Sequence, residues 1–198
     1  MSGKFDTIQD ILDHKHTVLV VWDVQNMLVE NIFNKDEFLS NLHQLINTAR
    51  KIQMPIIYTK ITPLPEQFES PARKYYYGML QKKRQSHKQV DNPMELAVTP
   101  NKNEFIINKS TANIFVGTLF ELILKNTKRE TVIFTGIATE YGIETSARDT
   151  FANGYFAVVV RDAVSSFDKN AHFHSLENMK SQMILVSTEE IKKIYSGI

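Results

Sequence analysis

The chain has no cysteine in its 198 residues. Disulfides, thiolate metal ligands and a cysteine nucleophile are excluded at once. Glycine and proline are sparse, at seven and six residues, which excludes collagen-like and low-complexity architectures. Charge of one sign is also lacking. The 23 basic and 22 acidic residues leave a formal net charge of +1, so no global pull toward nucleic acid or an anionic membrane exists. No apolar run approaches the roughly 20 residues that cross a bilayer. The N-terminal stretch MSGKFDTIQDILDHKH carries charges throughout and does not read as a signal peptide. A cytoplasmic location is expected.

What is present is ordinary for a globular protein: 42% hydrophobic and 23% charged residues. The length fits one domain over residues 1–198, burying roughly 70% of the unfolded surface. Strands and helices alternate along it. Residues 17–23 (TVLVVWD) form a continuous apolar, β-branched run, as in a strand buried on both faces. Residues 36–52 place Phe38, Leu42, Leu45, Ile46 and Ala49 on one helical face. Further strands are predicted at 56–60, 104–108, 131–135, 156–161 and 183–186, and helices at 117–126, 139–153, 170–180 and 188–195. This alternation implies a parallel sheet covered by helices on both faces. Residues 62–103 hold five of the six prolines and read as a long irregular excursion placed to cover a site.

In such folds ligands bind beyond the carboxyl ends of the strands. Asp23 ends the first strand, where it either caps a turn or faces the crevice. Gln25 and Asn26 follow and are placed to orient it. Lys109 follows the third strand, either solvated or functional. The turn Thr135-Gly136-Ile137-Ala138-Thr139 presents the next helix to the same crevice. Gly142 lies in that helix's first turn, where a poor helix former implies that small size is wanted. A carboxylate, an ammonium and a helix N-terminus at three strand ends form a plausible catalytic constellation.

Three pieces, VLVVWDVQNML, NKSTANIFVGTLFELI and TGIATEYGIETSARDTFANGYFAVVVRDAVSSF, make the chain resemble the isochorismatase-like (cysteine) hydrolases. The resemblance implies a three-layer α/β/α sandwich with a parallel sheet of about six strands. It implies a small-molecule substrate, no cofactor, and a homodimer or homotetramer. The amidase members use an Asp-Lys-Cys triad. Asp23 and Lys109 match the first two positions, and Gly142 stands at the third. The resemblance also implies a cis peptide between Ile137 and Ala138, with backbone N–H groups of the 137–139 turn, Thr139 included, around the substrate. Gln25 belongs to the matching Asp-x-Gln element.

A thioester route needs a thiolate, which this chain cannot supply. No histidine stands near Thr139, Tyr141 or Ser146 in sequence to activate a hydroxyl in its place. Isochorismatases resemble this chain in having glycine at the cysteine position, and there the aspartate acts as a general acid on a vinyl ether. The resemblance thus implies that Asp23 protonates a small acidic substrate of the isochorismate type. The alternative is a relative without catalysis, which binds a metabolite or serves assembly. Arg73, beside Tyr75-Tyr76-Tyr77-Gly78, either pairs with a substrate carboxylate or lies at the surface among packed tyrosines.

The Asp-x-His pattern of the metal-dependent members is missing, no histidine follows the second strand until His87, and His172 and His174 point apart on a helix. No metal is expected. The basic run at 82–88 reads as a solvated face, and no nucleic-acid or membrane partner is expected.

Overall fold

A computed structural model of the protein describes residues 5–83 and 90–197, apart from the side chains of 77 and 80–83. The side chains of the basic run 82–88, His87 among them, lie outside this description. The elements in chain order are α1 (Ile8–Ile11), β1 (Thr17–Trp22), α2 (Asn26–Val29), α3 (Lys35–Lys51), β2 (Ile56–Ile61), α4 (Pro71–Lys83), β3 (Phe105–Lys109), α5 (Phe120–Asn126), β4 (Thr131–Ile137), α6 (Glu144–Ala152), β5 (Phe156–Ser165), α7 (Lys169–Met179), β6 (Ile184–Val186) and α8 (Thr188–Tyr195). A π-helical turn, Thr139–Ile143, leads into α6.

The six strands form one sheet in the order β3-β2-β1-β4-β5-β6, every pair parallel. The central strands β1 and β4 are buried at every residue, which is why they carry unbroken apolar runs. Alternation along β1 then divides the core. Leu19 and Val21 pack with Phe38, Leu42, Leu45 and Ile46 of α3 and with Ile191 and Tyr195 of α8. Val18, Val20 and Trp22 pack with Phe120 and Leu124 of α5, Ala147 of α6 and Leu176 and Met179 of α7. The result is a three-layer α/β/α sandwich.

Several elements differ from the sequence expectation. The region 62–103 is not wholly irregular, because α4 crosses it; Ser70 starts this helix by accepting from the Arg73 N–H at 3.2 Å. The third strand runs Phe105–Lys109, so Lys109 is its last residue rather than the one after it. β5 continues past Arg161 to Ser165, and its register with β4 shifts between Phe134 and Gly136. That irregularity lets the polar Arg161-Asp162 pair sit within a strand. The predicted helix at 117–126 begins only at Phe120, since Gly117 has φ of 70°. No helix among the described residues is long and apolar enough to cross a membrane.

The strand order reverses direction between β1 and β4. Their carboxyl ends therefore open the crevice in which such sheets bind ligands.

Candidate active site

Asp23 is the first residue beyond β1, and its backbone is left-handed, with φ of 47°. A non-glycine residue in this region is uncommon, and such strain gathers at functional sites. The turn ends the alternation of β1, so that Trp22 and Asp23, neighbours in sequence, both border one cavity.

The Asp23 carboxylate is nearly buried. Its Oδ2 accepts from Lys109 Nζ at 2.5 Å, and its Oδ1 accepts from the Thr59 hydroxyl at 2.5 Å. The Asp23 N–H donates back to Thr59 Oγ1 at 3.0 Å. Lys109 Nζ also donates to the Thr111 carbonyl at 3.2 Å and lies 4.0 Å from the centroid of the Trp22 ring. Burial pushes the Asp23 carboxyl above the usual carboxylate range, against the opposing pull of Lys109. Burial likewise pushes the Lys109 ammonium below its usual range, against the pull of Asp23. Burial disfavours both charges, so the two groups share one proton and titrate as a pair. Such a carboxyl is suited to give a proton to a substrate.

The other side of the crevice comes from β4 and the turn after it. The Ile137–Ala138 peptide is cis. Two glycines here make room for Trp22. A side chain at Gly136 (φ 117°) would put its Cβ 2.1 Å from the Trp22 carbonyl oxygen. A Cβ at Gly142 would lie 2.2 Å from the indole Nε1 and 2.3 Å from Cε2. The volume next to position 142 is therefore filled by the indole.

A cavity of about 500 Å³ opens above these residues. Asp23, Lys109 and Thr111 supply its polar wall, with Ile137, Ala138 and Gly142 beside them. The remainder is mostly apolar or aromatic, including Met27, Leu28, Ile61, Tyr141 and Phe167. α4 brings Tyr76 to the rim, 6.1 Å from the Tyr141 ring centroid, so the excursion does border the cavity. Among the described residues, Lys109 is the sole cation on the wall.

Of the residues singled out from sequence, Asp23, Lys109, Gly142, Ile137 and Ala138 come together at this cavity. Three others are engaged elsewhere. The buried Gln25 amide donates to the Met94 carbonyl at 3.0 Å, and its oxygen accepts from the Ile61 N–H at 2.8 Å. Arg73 donates to the Ser110 carbonyl at 2.7 Å and faces Glu69 at 3.5 Å. The Thr139 hydroxyl contacts the Ser165 carbonyl at 3.1 Å and His172 Nδ1 at 2.8 Å. His172 is buried against the Phe33 and Phe173 rings, whereas His174 is exposed. Among the described residues no group of three or more His, Asp or Glu is placed to hold a metal.

Sequence reasoning passes over Trp22 and Thr59. Thr59 had a signal, a hydroxyl at the carboxyl end of an otherwise apolar strand. The role of Trp22 had none, because its bulk reads simply as core.

A sheet of this order, with an Asp-Lys pair at its switch point, defines a class, the three-layer α/β/α proteins built on one parallel sheet. The sequence model of the Isochorismatase domain matches residues 17–190, and the chain belongs to that family. Among its relatives, the uncharacterized isochorismatase family protein YwoC of Bacillus subtilis is 26% identical over 167 residues, 81% of this chain and 84% of its own length. Enterobactin synthase component B of Escherichia coli is 24% identical over 186 residues, covering 89% of this chain and 62% of that protein. The fold is similar to that of a cysteine hydrolase from Pseudomonas syringae, with a TM-score of 0.82 at 18% identity over 94% of this chain and 95% of that one. The family is generally one of hydrolases, and this member has no cysteine.

Proposed function

We propose that the protein hydrolyses a small enol ether of the isochorismate type, with Asp23 as general acid and with no covalent intermediate. One observation carries this reading. The place of a nucleophile at position 142 is taken by the Trp22 indole, while a buried carboxyl disposed to hold a proton lies beside it.

The chemistry follows from that acid. Asp23 gives its proton to the terminal CH₂ of the enol ether, and the carbon bearing the ether oxygen becomes an oxocarbenium ion. Water adds to that carbon and returns a proton to the Asp23 carboxylate. The hemiketal then loses its alcohol: the carbon–oxygen bond breaks, the hydroxyl proton passes to the departing oxygen, and pyruvate is released. Lys109 holds the Asp23 carboxylate in place and stabilises it in the moment after proton transfer. Thr59 fixes the carboxyl's other oxygen. The apolar wall keeps bulk water from competing for the proton.

Asp23→Asn is expected to lower pyruvate release from isochorismate by about 100-fold or more, the usual contribution of a general acid. Its circular dichroism should match the wild type. A second reading, a metabolite-binding protein, is favoured by the fact that Asp23 and Lys109 already satisfy each other. Silence of the wild type toward enol ethers, amides and N-carbamoyl compounds alike would leave only that second reading.

A further inference from the structure

The cavity beside Asp23 has two unlike parts. Its reacting end is polar but carries no net charge, because the Lys109 ammonium is bonded to the Asp23 carboxyl at 2.5 Å. The rest is built from apolar side chains that three separate elements send to one place. Met27 and Leu28 come from α2, Ile61 from the end of β2 and Phe167 from the segment after β5, with Pro63 beside them. All but Pro63 are partly buried, so each packs on the protein and still leaves apolar surface to the cavity. At the rim Tyr76 and Tyr141 meet edge to face, with ring planes 65° apart.

Two basic side chains of the bordering elements are engaged away from this wall. Lys60 of β2 pairs with Glu95 at 3.2 Å, and Arg73 of α4 donates to the Ser110 carbonyl and faces Glu69. Neither lines the cavity. A ligand carboxylate set against Met27, Leu28 and Phe167 would lose its water and gain no partner among the described residues, which costs far more than burying an uncharged ring. An apolar ring gains from each contact with the same wall. The volume of about 500 Å³ is within the usual range of small-molecule sites.

We infer that the substrate is an enolpyruvyl ether whose alcohol half is apolar and uncharged, an aryl or alicyclic group. The inference rests on acid catalysis by Asp23, as given above, and narrows it to a substrate class. The enol ether lies at the polar end with its CH₂ toward Asp23, and the alcohol half lies against Met27, Leu28, Ile61 and Phe167. Protonation of that CH₂, addition of water and loss of the alcohol then yield pyruvate and a neutral, apolar alcohol. Isochorismate, whose ring bears a second carboxylate, is the weaker substrate of its own type here. Ile61 sets the preference most directly. It is two residues beyond Thr59 on β2, on the same side of the strand as the hydroxyl that holds Asp23, and it lines the cavity.

A matched pair of synthetic enol ethers supplies the test: 2-phenoxyacrylate, and 2-(3-carboxyphenoxy)acrylate, which differs from it by one ring carboxylate. Pyruvate release by the full-length protein is measured from each. Calorimetry measures binding of the saturated analogues, 2-phenoxypropanoate and 2-(3-carboxyphenoxy)propanoate. The uncharged ring is expected to be favoured at least about 10-fold, in kcat/KM and in affinity. Ile61→Arg, which adds a cation to the wall, is expected to shift that ratio about 10-fold toward the dicarboxylate. Both ligands are compared on one sample, so any loss of folded protein cancels in the ratio. An equal or reversed preference in the wild type overturns the inference, and so does failure of both analogues to bind. An unchanged ratio in Ile61→Arg overturns the placement of the ring against this wall. The two readings fail separately. Pyruvate from both ethers without preference removes the apolar class and keeps acid catalysis. A preference in binding with no pyruvate from either ether removes acid catalysis and keeps the class of ligand.

Discussion

A thiol cannot be restored at position 142 by one substitution. The Cβ alone would stand 2.2 Å from the indole, before any sulfur is added. Gly142→Cys should therefore be overpacked and destabilised by about 1–3 kcal/mol, read as a lower urea midpoint. In a Trp22→Ala background the same change should cost clearly less, because the ring that blocks it is gone. A double-mutant cycle measures the coupling, and strictly additive effects would show that the two positions do not compete for space. The polar half of this arrangement is visible in sequence. Asp23 and Lys109 each interrupt an apolar run at a strand's carboxyl end. The coupling of Trp22 to Gly142 and Gly136 is not visible, because a tryptophan in a buried strand and a glycine near a turn each have a sufficient local explanation.

Among the elements, Gln25 has the widest structural reach. Its side chain joins the end of β2 to the segment around Met94, and Gln25 and Leu96 form an isolated antiparallel bridge. Removing the amide leaves the part-buried Ile61 N–H and Met94 carbonyl short of partners. Gln25→Ala should cost about 1–3 kcal/mol by thermal or urea unfolding and should raise hydrogen exchange in residues 93–97. Unchanged exchange there would show that the segment is held by other contacts. The surrounding excursion was the least legible region. In PARKYYYGMLQKK, Gly78 and three tyrosines blur the apolar stripe by which a helix is recognised, although Ser70 followed by Pro71 is a start signal. β5 reads short in the sequence for a related reason: Arg161 and Asp162 break its apolar run at the irregular step against β4.

At the scale of the molecule, the layers and the parallel sheet follow from the alternation of strand and helix runs. The spatial order of the strands is tertiary information, and no single strand's sequence contains it. His172 joins layers in a way that pH can probe. It lies on α7, packs on Phe33 and meets Thr139 at the start of the helix after β4. Burial lowers its pKa from 6.5 to about 4. The unfolded chain thus takes up a proton near 6.5, and the folded one only near 4. Between those values the unfolded state binds more protons, so the contribution is full above pH 6.5 and is lost as pH falls toward 4. His172→Gln should flatten the decline of the urea midpoint over that window. An equally steep decline in the variant would assign it to the carboxylates instead.

The Asp23-Thr59-Lys109 row has one more consequence. Its members come from the ends of β1, β2 and β3, three neighbouring strands of the sheet, and Lys109 pairs with Ile61 in the β2–β3 register. A slip of the edge strand β3 by one residue would turn Lys109 to the opposite face and leave a buried carboxyl without its ammonium. The groups that pair at the site therefore also reject a misaligned edge, and a chain that folds with its Asp23-Lys109 pair intact has checked its own strand register.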